Sequence, residues 1–340
     1  MFKIFIAEPV LKAVVLSENA KPVTSQSSLY KVIRELKRLY VSSETDDNSW
    51  AKEYQEKYGL TLDFTKSDYI KNIPAQPETV LQHPSSVFVL DIPIPEAEKI
   101  QKSYGVVCLS KDQPNLSMLI GTNDELTFEK GEFISNGWES VLNSVRTIPS
   151  NALLLSDRYL FSAISPKVGN GIDNVRVILN TLLPQKFSGE YQITIVFDSV
   201  NMNSSYTFND IATQLNKAKQ MLHRDYPINM EVVGITPSCE IYEELHNRRI
   251  VSNYYIVKAE HKLAAFNKNI STCQQTITPQ VLFTDDSLIG TSTPPLKAID
   301  HSIATIRDFS KSAPNLSNPS IYSYALNGKR MDKCMGIKNR

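Results

Sequence analysis

His246, Arg248 and Asn253 fall within the stretch LHNRRIVSN. It carries an imidazole, a guanidinium two positions on, and a carboxamide five positions after that. Imidazole changes charge near neutral pH and can serve as nucleophile, base or acid. A guanidinium stays charged and grips phosphate through two parallel N–H donors. A carboxamide accepts a hydrogen bond but cannot stabilise an imidazolium as a carboxylate does. The set suits holding a phosphate and lacks the carboxylate that hydrolysis would use. Arg249 adds a second cation at the same point, and His261 and Lys262 follow shortly downstream. These are the candidate phosphate- or partner-binding residues, with His246 the candidate catalytic residue only if the site is active.

Other residues invite metal or nucleophile chemistry. Asp91, Asp157 and Asp198 each close an apolar run, and carboxylates at one edge of a parallel sheet could share Mg²⁺. Aspartates also end strands simply because they begin turns well. Cys108, Cys239, Cys273 and Cys334 are scattered, without CxxC pairs, so neither a zinc site nor a disulfide framework is expected. GNGID at 169–173 lacks the spacing of a nucleotide fingerprint, and Ser156 has no GxSxG around it. No metal and no cofactor is expected.

The elements that must position these residues read as α/β. SSLYKVIRELKRLY (27–40) sets Leu29, Ile33, Leu36 and Tyr40 on one helical face, with Lys31, Arg34 and Arg38 on another. NSWAKEYQEKYG follows with Trp50, Tyr54 and Tyr58 at helical spacing. Strand 87–92, helix 95–104 and strand 106–110 make a βαβ unit. From about residue 150 strands and helices alternate regularly. Among the helices TFNDIATQLNKAKQMLHR is the clearest, with Thr207 and Asp210 placed as a capping box. RRIVSNYYIVKAEH reads as two short strands joined near Asn253. A late helix aligns Leu296, Ile299, Ile303 and Ile306. The expected organisation is a smaller N-terminal α/β domain over 1–148, a mixed sheet flanked by helices over 149–310, and an extended basic tail over 311–340. That tail carries Lys329, Arg330, Lys333, Lys338 and Arg340, and could dock through Ile321, Tyr322, Tyr324 and Leu326.

Lys+Arg and Asp+Glu both number 36, so there is no global pull toward nucleic acid or anionic membrane. Any such binding must rest on a local patch. The apolar N-terminal run is interrupted by Lys3, Glu8, Pro9 and Lys12. No segment reaches the ~20 apolar residues of a bilayer span. The expectation is a cytoplasmic protein.

The order strand, helix, strand, helix, strand, then a histidine-led hairpin resembles a phospholipase-D-like domain. That superfamily's signature is His-x-Lys, four residues, then Asp. His246 matches the histidine, Arg248 stands in the lysine place and Asn253 in the aspartate place. VKAEHKLAAFN stands where the superfamily has small residues and an asparagine, without the usual Gly-Ser pair. LHNRRIVSNYYIVKAEHKLAAF is similar in order and length to the divergent phospholipase-D-like domain at the C-terminus of MIT-domain proteins. The likeness covers about 190–270 and extends over 150–310; no MIT helical hairpin is evident in the N-terminal part. It implies a phosphorus-attacking imidazole, a second histidine as acid and an orienting carboxylate. His83, His223, His261 and His301 begin no second motif, so only a symmetric dimer would complete such a site.

The leading expectation is a non-catalytic interaction or nucleic-acid-associated subunit. Its partner would be a protein or a nucleic acid, with a bacterial complex handling foreign nucleic acid (antiviral defence) as the setting. Two alternatives stay open: a dimeric phosphodiesterase or nuclease using His246, and a membrane-associated adaptor.

Overall fold

The computed structural model describes residues 2–22, 25–36, 38–42, 49–58, 63–121, 124–162, 168–237, 242–283 and 321–325. They divide into two compact units, the first holding the described residues up to 121 and 281–283, the second 124–280 and 321–325.

The first unit contains β1 (Lys3–Ala7), α1 (Glu8–Glu18), α2 (Ser28–Leu36), β2 (Arg38–Ser42) and α3 (Ser49–Tyr58). It continues with β3 (Asp63–Lys66), β4 (Ser86–Leu90), α4 (Ile94–Tyr104) and β5 (Val107–Ser110). Its five strands form a parallel sheet in the order β3-β2-β1-β4-β5. The chain runs outward from β1 to one edge and then returns across it, the winding of an open α/β sheet. Both faces of β4 and β5 are buried, so they read as continuous apolar runs such as SVFVL. Phe5, Phe88, Leu90 and Cys108 pack against Ala97 and Ile100 of α4 on one face. Burial pushes the Cys108 thiol up to about 12, which keeps it an inert apolar filler.

The βαβ unit expected from sequence is present as β4-α4-β5, closed by Gly105 at φ 60°. The helix expected over 27–40 is not one element. It stops at Leu36, and Arg38–Ser42 is a strand registered on β1, Phe5 opposite Tyr40. Two parallel neighbours for RLYVS outweigh the helical periodicity that runs through it. Arg38 therefore does not share a helical face with Lys31 and Arg34. α3 forms where NSWAKEYQEKY expected a helix.

The boundary lies earlier than 148. β6 (Leu126–Phe128) and α5 (Trp138–Val141) belong to the second unit. β7 (Ala152–Ser156), α6 (Val168–Leu182), β8 (Tyr191–Asp198), α7 (Phe208–Gln220) and β9 (Ile228–Ile235) follow. Then come β10 (Arg249–Ser252), β11 (Tyr255–Ala259), the small pair β12 (Phe266–Asn267) and β13 (Ile270–Ser271), β14 (Gln275–Val281) and β15 (Ile321–Ala325). Trp138 ties α5 to α6, its indole N–H donating to Oδ1 of Asn174 at 2.7 Å.

The eight-stranded sheet has the order β15-β9-β8-β7-β10-β11-β14-β6. β7, β8 and β9 are parallel; β10 runs against β7, β11 against β10, and β15 against β9. The mixed sheet flanked by helices is the α/β architecture that the strand–helix alternation implies. The capping box of α7 forms as spaced: Thr207 Oγ1 accepts from the Asp210 N–H and Asp210 Oδ2 from the Thr207 N–H. Ile211, Leu215 and Ala218 of α7 are buried.

Of the expected tail, 321–325 is the strand β15 paired with β9. The late helix at 296–306, the basic residues from Lys329 onward, the side chains of Trp50, Tyr54 and Tyr58, Cys239 and Cys334 lie outside the described residues. Among the described residues no helix is long and apolar enough to cross a membrane.

Candidate functional site

β7 and β8 are parallel neighbours and end at the same edge of the sheet, Ser156 opposite Val196. Each is followed or closed by an aspartate, Asp157 after β7 and Asp198 at the end of β8. β10 enters the sheet from that edge, Arg249 opposite Ser156. Three chain segments therefore converge there: Asp157-Arg158-Tyr159, Asp198 with its turn, and Tyr242 to Arg249.

Both aspartates are buried, and both are held by donors. Asp157 Oδ1 accepts from the Tyr159 N–H at 2.8 Å, and Oδ2 from the Leu263 N–H at 2.6 Å. Burial pushes its carboxyl up to about 6, although these N–H groups and the charges of Arg248 and Lys262 pull the other way. Asp198 Oδ1 accepts from the backbone of Val200 and Asn201. Its Oδ2 accepts from Asn201 Nδ2 and the Tyr242 hydroxyl, both at 2.5 Å, and from Arg158 Nε at 3.3 Å. Burial alone would raise Asp198; the bonds from Tyr242, Asn201 and Val200 outweigh it and hold it below the usual carboxylate value. Two neighbouring aspartates thus take opposite directions.

Each aspartate backs one arginine. Arg158 leans on Asp198, donates from Nη2 to the Tyr242 oxygen at 2.6 Å, and has its guanidinium 4.5 Å from the Tyr242 ring centre. Arg248 places Nε 4.0 Å from Asp157 Oδ1. Its Nη1 donates to the carbonyls of Glu260 at 2.6 Å and His246 at 3.2 Å. Both guanidiniums approach the ring of Tyr159, at 5.6 Å and 5.5 Å from its centre. The core of the site is therefore two aspartate-backed arginines sharing one tyrosine.

His246 sits beside this core, with its Nε2 in hydrogen-bond contact with Arg158 Nη1. A guanidinium can only donate, so in this contact Nε2 is the acceptor. The carboxylate beside it, Glu243, lies 3.7 Å from that same Nε2.

Two recesses open at Arg248. One, of ≈ 670 Å³, is lined by His246, Arg248, Arg249, Lys258, Glu260 and Thr276 among others. The other, of ≈ 280 Å³, is lined by Tyr159, Ser162, Arg248, His261, Lys262 and Cys273.

Of the residues singled out from sequence, His246, Arg248 and Arg249 gather at the first recess, and Arg248, His261 and Lys262 at the second. Asn253 is not brought to either. It stands beyond the far end of β10, fully buried, exchanging hydrogen bonds with Asn151: its Nδ2 donates to Asn151 Oδ1 at 2.9 Å, and its Oδ1 accepts from the Asn151 N–H at 3.2 Å. Asp91 lies in the first unit, paired with Lys111, whereas Asp157 and Asp198 do converge. Their oxygens are engaged by arginine, tyrosine and backbone donors. Among the described residues no group of three or more His, Cys, Asp or Glu is placed to hold a metal ion.

Sequence reasoning passed over Arg158, Tyr159 and Tyr242. Arg158 and His246 are 88 positions apart, and no spacing rule links them. The one available signal was SDRY at the close of the apolar run ALLL, where two polar residues and a tyrosine follow the strand.

Neither a protein-family model nor a curated protein matches the chain.

Proposed function

We propose that the second unit is a non-catalytic phosphate-recognition module of the phospholipase-D-like type, acting as a subunit that engages a phosphate-bearing or acidic partner. Support for the kinship is the mixed sheet flanked by helices, with His246 and Arg248 at the head of a strand. The observation that carries the non-catalytic reading is the bond between Arg158 Nη1 and His246 Nε2. A nucleophilic imidazole needs a free nitrogen lone pair and an acceptor on its other N–H. Here the lone pair of Nε2 is committed to a guanidinium, and the neighbouring carboxylate approaches the same nitrogen. The arginines, by contrast, are pre-placed: Asp198 and Tyr242 hold Arg158, and the carbonyls of Glu260 and His246 hold Arg248, before any anion arrives, which lowers the ordering cost of binding.

Two measurements test this. Hydrolysis of bis(p-nitrophenyl) phosphate, with and without chelator, is expected at background for both the native protein and His246→Ala. Titration with inorganic pyrophosphate is expected to show binding that weakens at least tenfold in Arg248→Gln and loses part of its salt dependence. Chelator-resistant hydrolysis abolished by His246→Ala would make the protein an enzyme. Pyrophosphate affinity indifferent to Arg248→Gln would remove the site.

A further inference from the structure

We propose that His246 is a proton-operated latch on the anion site. Unprotonated, its Nε2 holds Arg158. Protonated, it lets Arg158 go and joins it on the incoming anion, so that proton and anion bind together. The inference rests on the phosphate-recognition reading and goes beyond it by naming how that site is regulated.

Arg158 has one accessible hold. Its Nε leans on Asp198, its Nη2 on the Tyr242 hydroxyl and its Nη1 on His246. The Asp198 side chain is fully buried and Tyr242 is 5% exposed. The His246 side chain keeps 41% of its surface in solvent. An anion therefore reaches Arg158 from the Nη1 side, where the imidazole stands. Protonation decides which of the two occupies that place. An imidazole nitrogen accepts only while it carries no proton. Once protonated, Nε2 is a donor and cannot bond a guanidinium. Two adjacent cations repel, and an oxyanion between them accepts from both. The single bond of the free site is thus exchanged for two charge-assisted ones, and only when proton and anion are both present.

The charged groups around the imidazole come from several segments. Glu243, on its own turn, lies 3.7 Å from Nε2. Arg158 follows β7, and Arg248, just before β10, donates to the His246 carbonyl. Across the ≈ 670 Å³ recess stand Arg249, Lys258 and Glu260, with Glu125 just before β6. Among these side-chain types imidazole is the one that changes charge near neutral pH. Two further groups stand next to Arg248: Asp157, 4.0 Å from its Nε, and His261 in the smaller recess. Linkage makes the coupling reciprocal: the proton favours the anion as much as the anion favours the proton.

The test is isothermal titration calorimetry of the full chain with sulfate, whose two charges do not change between pH 6.5 and pH 8. The native protein is expected to bind sulfate about fivefold tighter at pH 6.5. It should also take up protons on binding, read from the difference in heat between buffers of unlike ionisation enthalpy. His246→Gln keeps an acceptor for Arg158 and cannot titrate, so its affinity should be the same at both values within about twofold. His246→Lys carries a cation at both values and should bind at pH 8 as tightly as the native protein does at pH 6.5. Asp157→Asn and His261→Gln should each keep the native pH dependence. Equal native affinity at the two values would overturn the latch. So would a pH dependence that survives in His246→Gln or vanishes in Asp157→Asn or His261→Gln. A His246→Lys protein no tighter than the native at pH 8 would overturn it as well. No sulfate binding at either pH would overturn the latch alone; no binding of pyrophosphate either would overturn the phosphate-recognition reading with it.

Discussion

The backbone N–H of Leu263 donates to Oδ2 of Asp157 at 2.6 Å, bridging 106 positions of sequence. The bond fixes the turn that presents His261 and Lys262, and it ties that turn to a carboxyl with a shifted proton affinity. An aspartate in an unfolded chain releases its proton near 4. Asp157 in the folded protein holds its proton until about 6. Between those values the folded state binds the extra proton, so its contribution to stability is complete at low pH and is lost as pH rises through about 6. The loss amounts to roughly 3 kcal/mol on the scale of one pKa unit per 1.36 kcal/mol. Urea unfolding between pH 4 and 8 should show this component in the native protein and not in Asp157→Asn. A native profile identical in slope to that of the variant would remove the assignment.

Arg158 and Asp198 form one unit with Tyr242, so their substitutions should not add. Arg158→Ala removes a donor from a buried carboxylate, and Asp198→Asn removes the charge that donor answers. A double-mutant cycle is expected to give a coupling of about 0.5–3 kcal/mol, with the lower half favoured because Arg158 keeps 19% of its side chain in solvent. Additive unfolding energies would mean that the two are held independently.

Asn253 offers a direct check on the motif reading. Replacing it with aspartate restores the phospholipase-D-like residue in sequence, but in space it sets a carboxylate oxygen against the Oδ1 of Asn151. The expected result is a loss of about 1–3 kcal/mol or more in unfolding free energy, with diester hydrolysis unchanged. A gain of hydrolysis on this substitution would place Asn253 in the site after all.

Gly171, on α6, lies against the chain that follows Arg158. A Cβ there would stand 2.1 Å from the Leu160 carbonyl oxygen. Alanine favours helices by about 1 kcal/mol over glycine, yet backbone cannot yield as a side-chain end does. Gly171→Ala is therefore expected to destabilise by about 1–3 kcal/mol, measured as a lowered unfolding midpoint. A stabilised variant would show that α6 can move away from that turn.

How much of this was legible in sequence follows from the range of each interaction. The α7 capping box depends on residues three apart and was readable from Thr207 and Asp210. The β4-α4-β5 unit was readable from apolar runs bracketing a helix that ends in glycine. The split at Leu36 was not, because Leu39 and Val41 fit both periods and only the pairing of β2 with β1 and β3 decides between them. The site was half readable. His246, Arg248, His261 and Lys262 are near one another in sequence, whereas their counterparts Asp157, Arg158 and Tyr159 arrive through the β7–β10 pairing. Asn253 was misleading because four strand residues carry it to the opposite end of β10, a distance of about 13 Å at the usual rise.

The passage of the chain between its two compact units has a practical consequence for dissection. On the first unit's side the two crossing segments run together: the Gly121 N–H donates to the Phe283 carbonyl at 3.0 Å, and the Phe283 N–H to the Leu119 carbonyl at 2.9 Å. Neither unit is thus a continuous stretch of gene. A fragment ending at residue 122 would forfeit the Phe283 partner of its own last strand-like residues, and one beginning at 124 and ending at 280 would lack β15. A fragment of the second unit must therefore keep β15, whose five residues pair with β9.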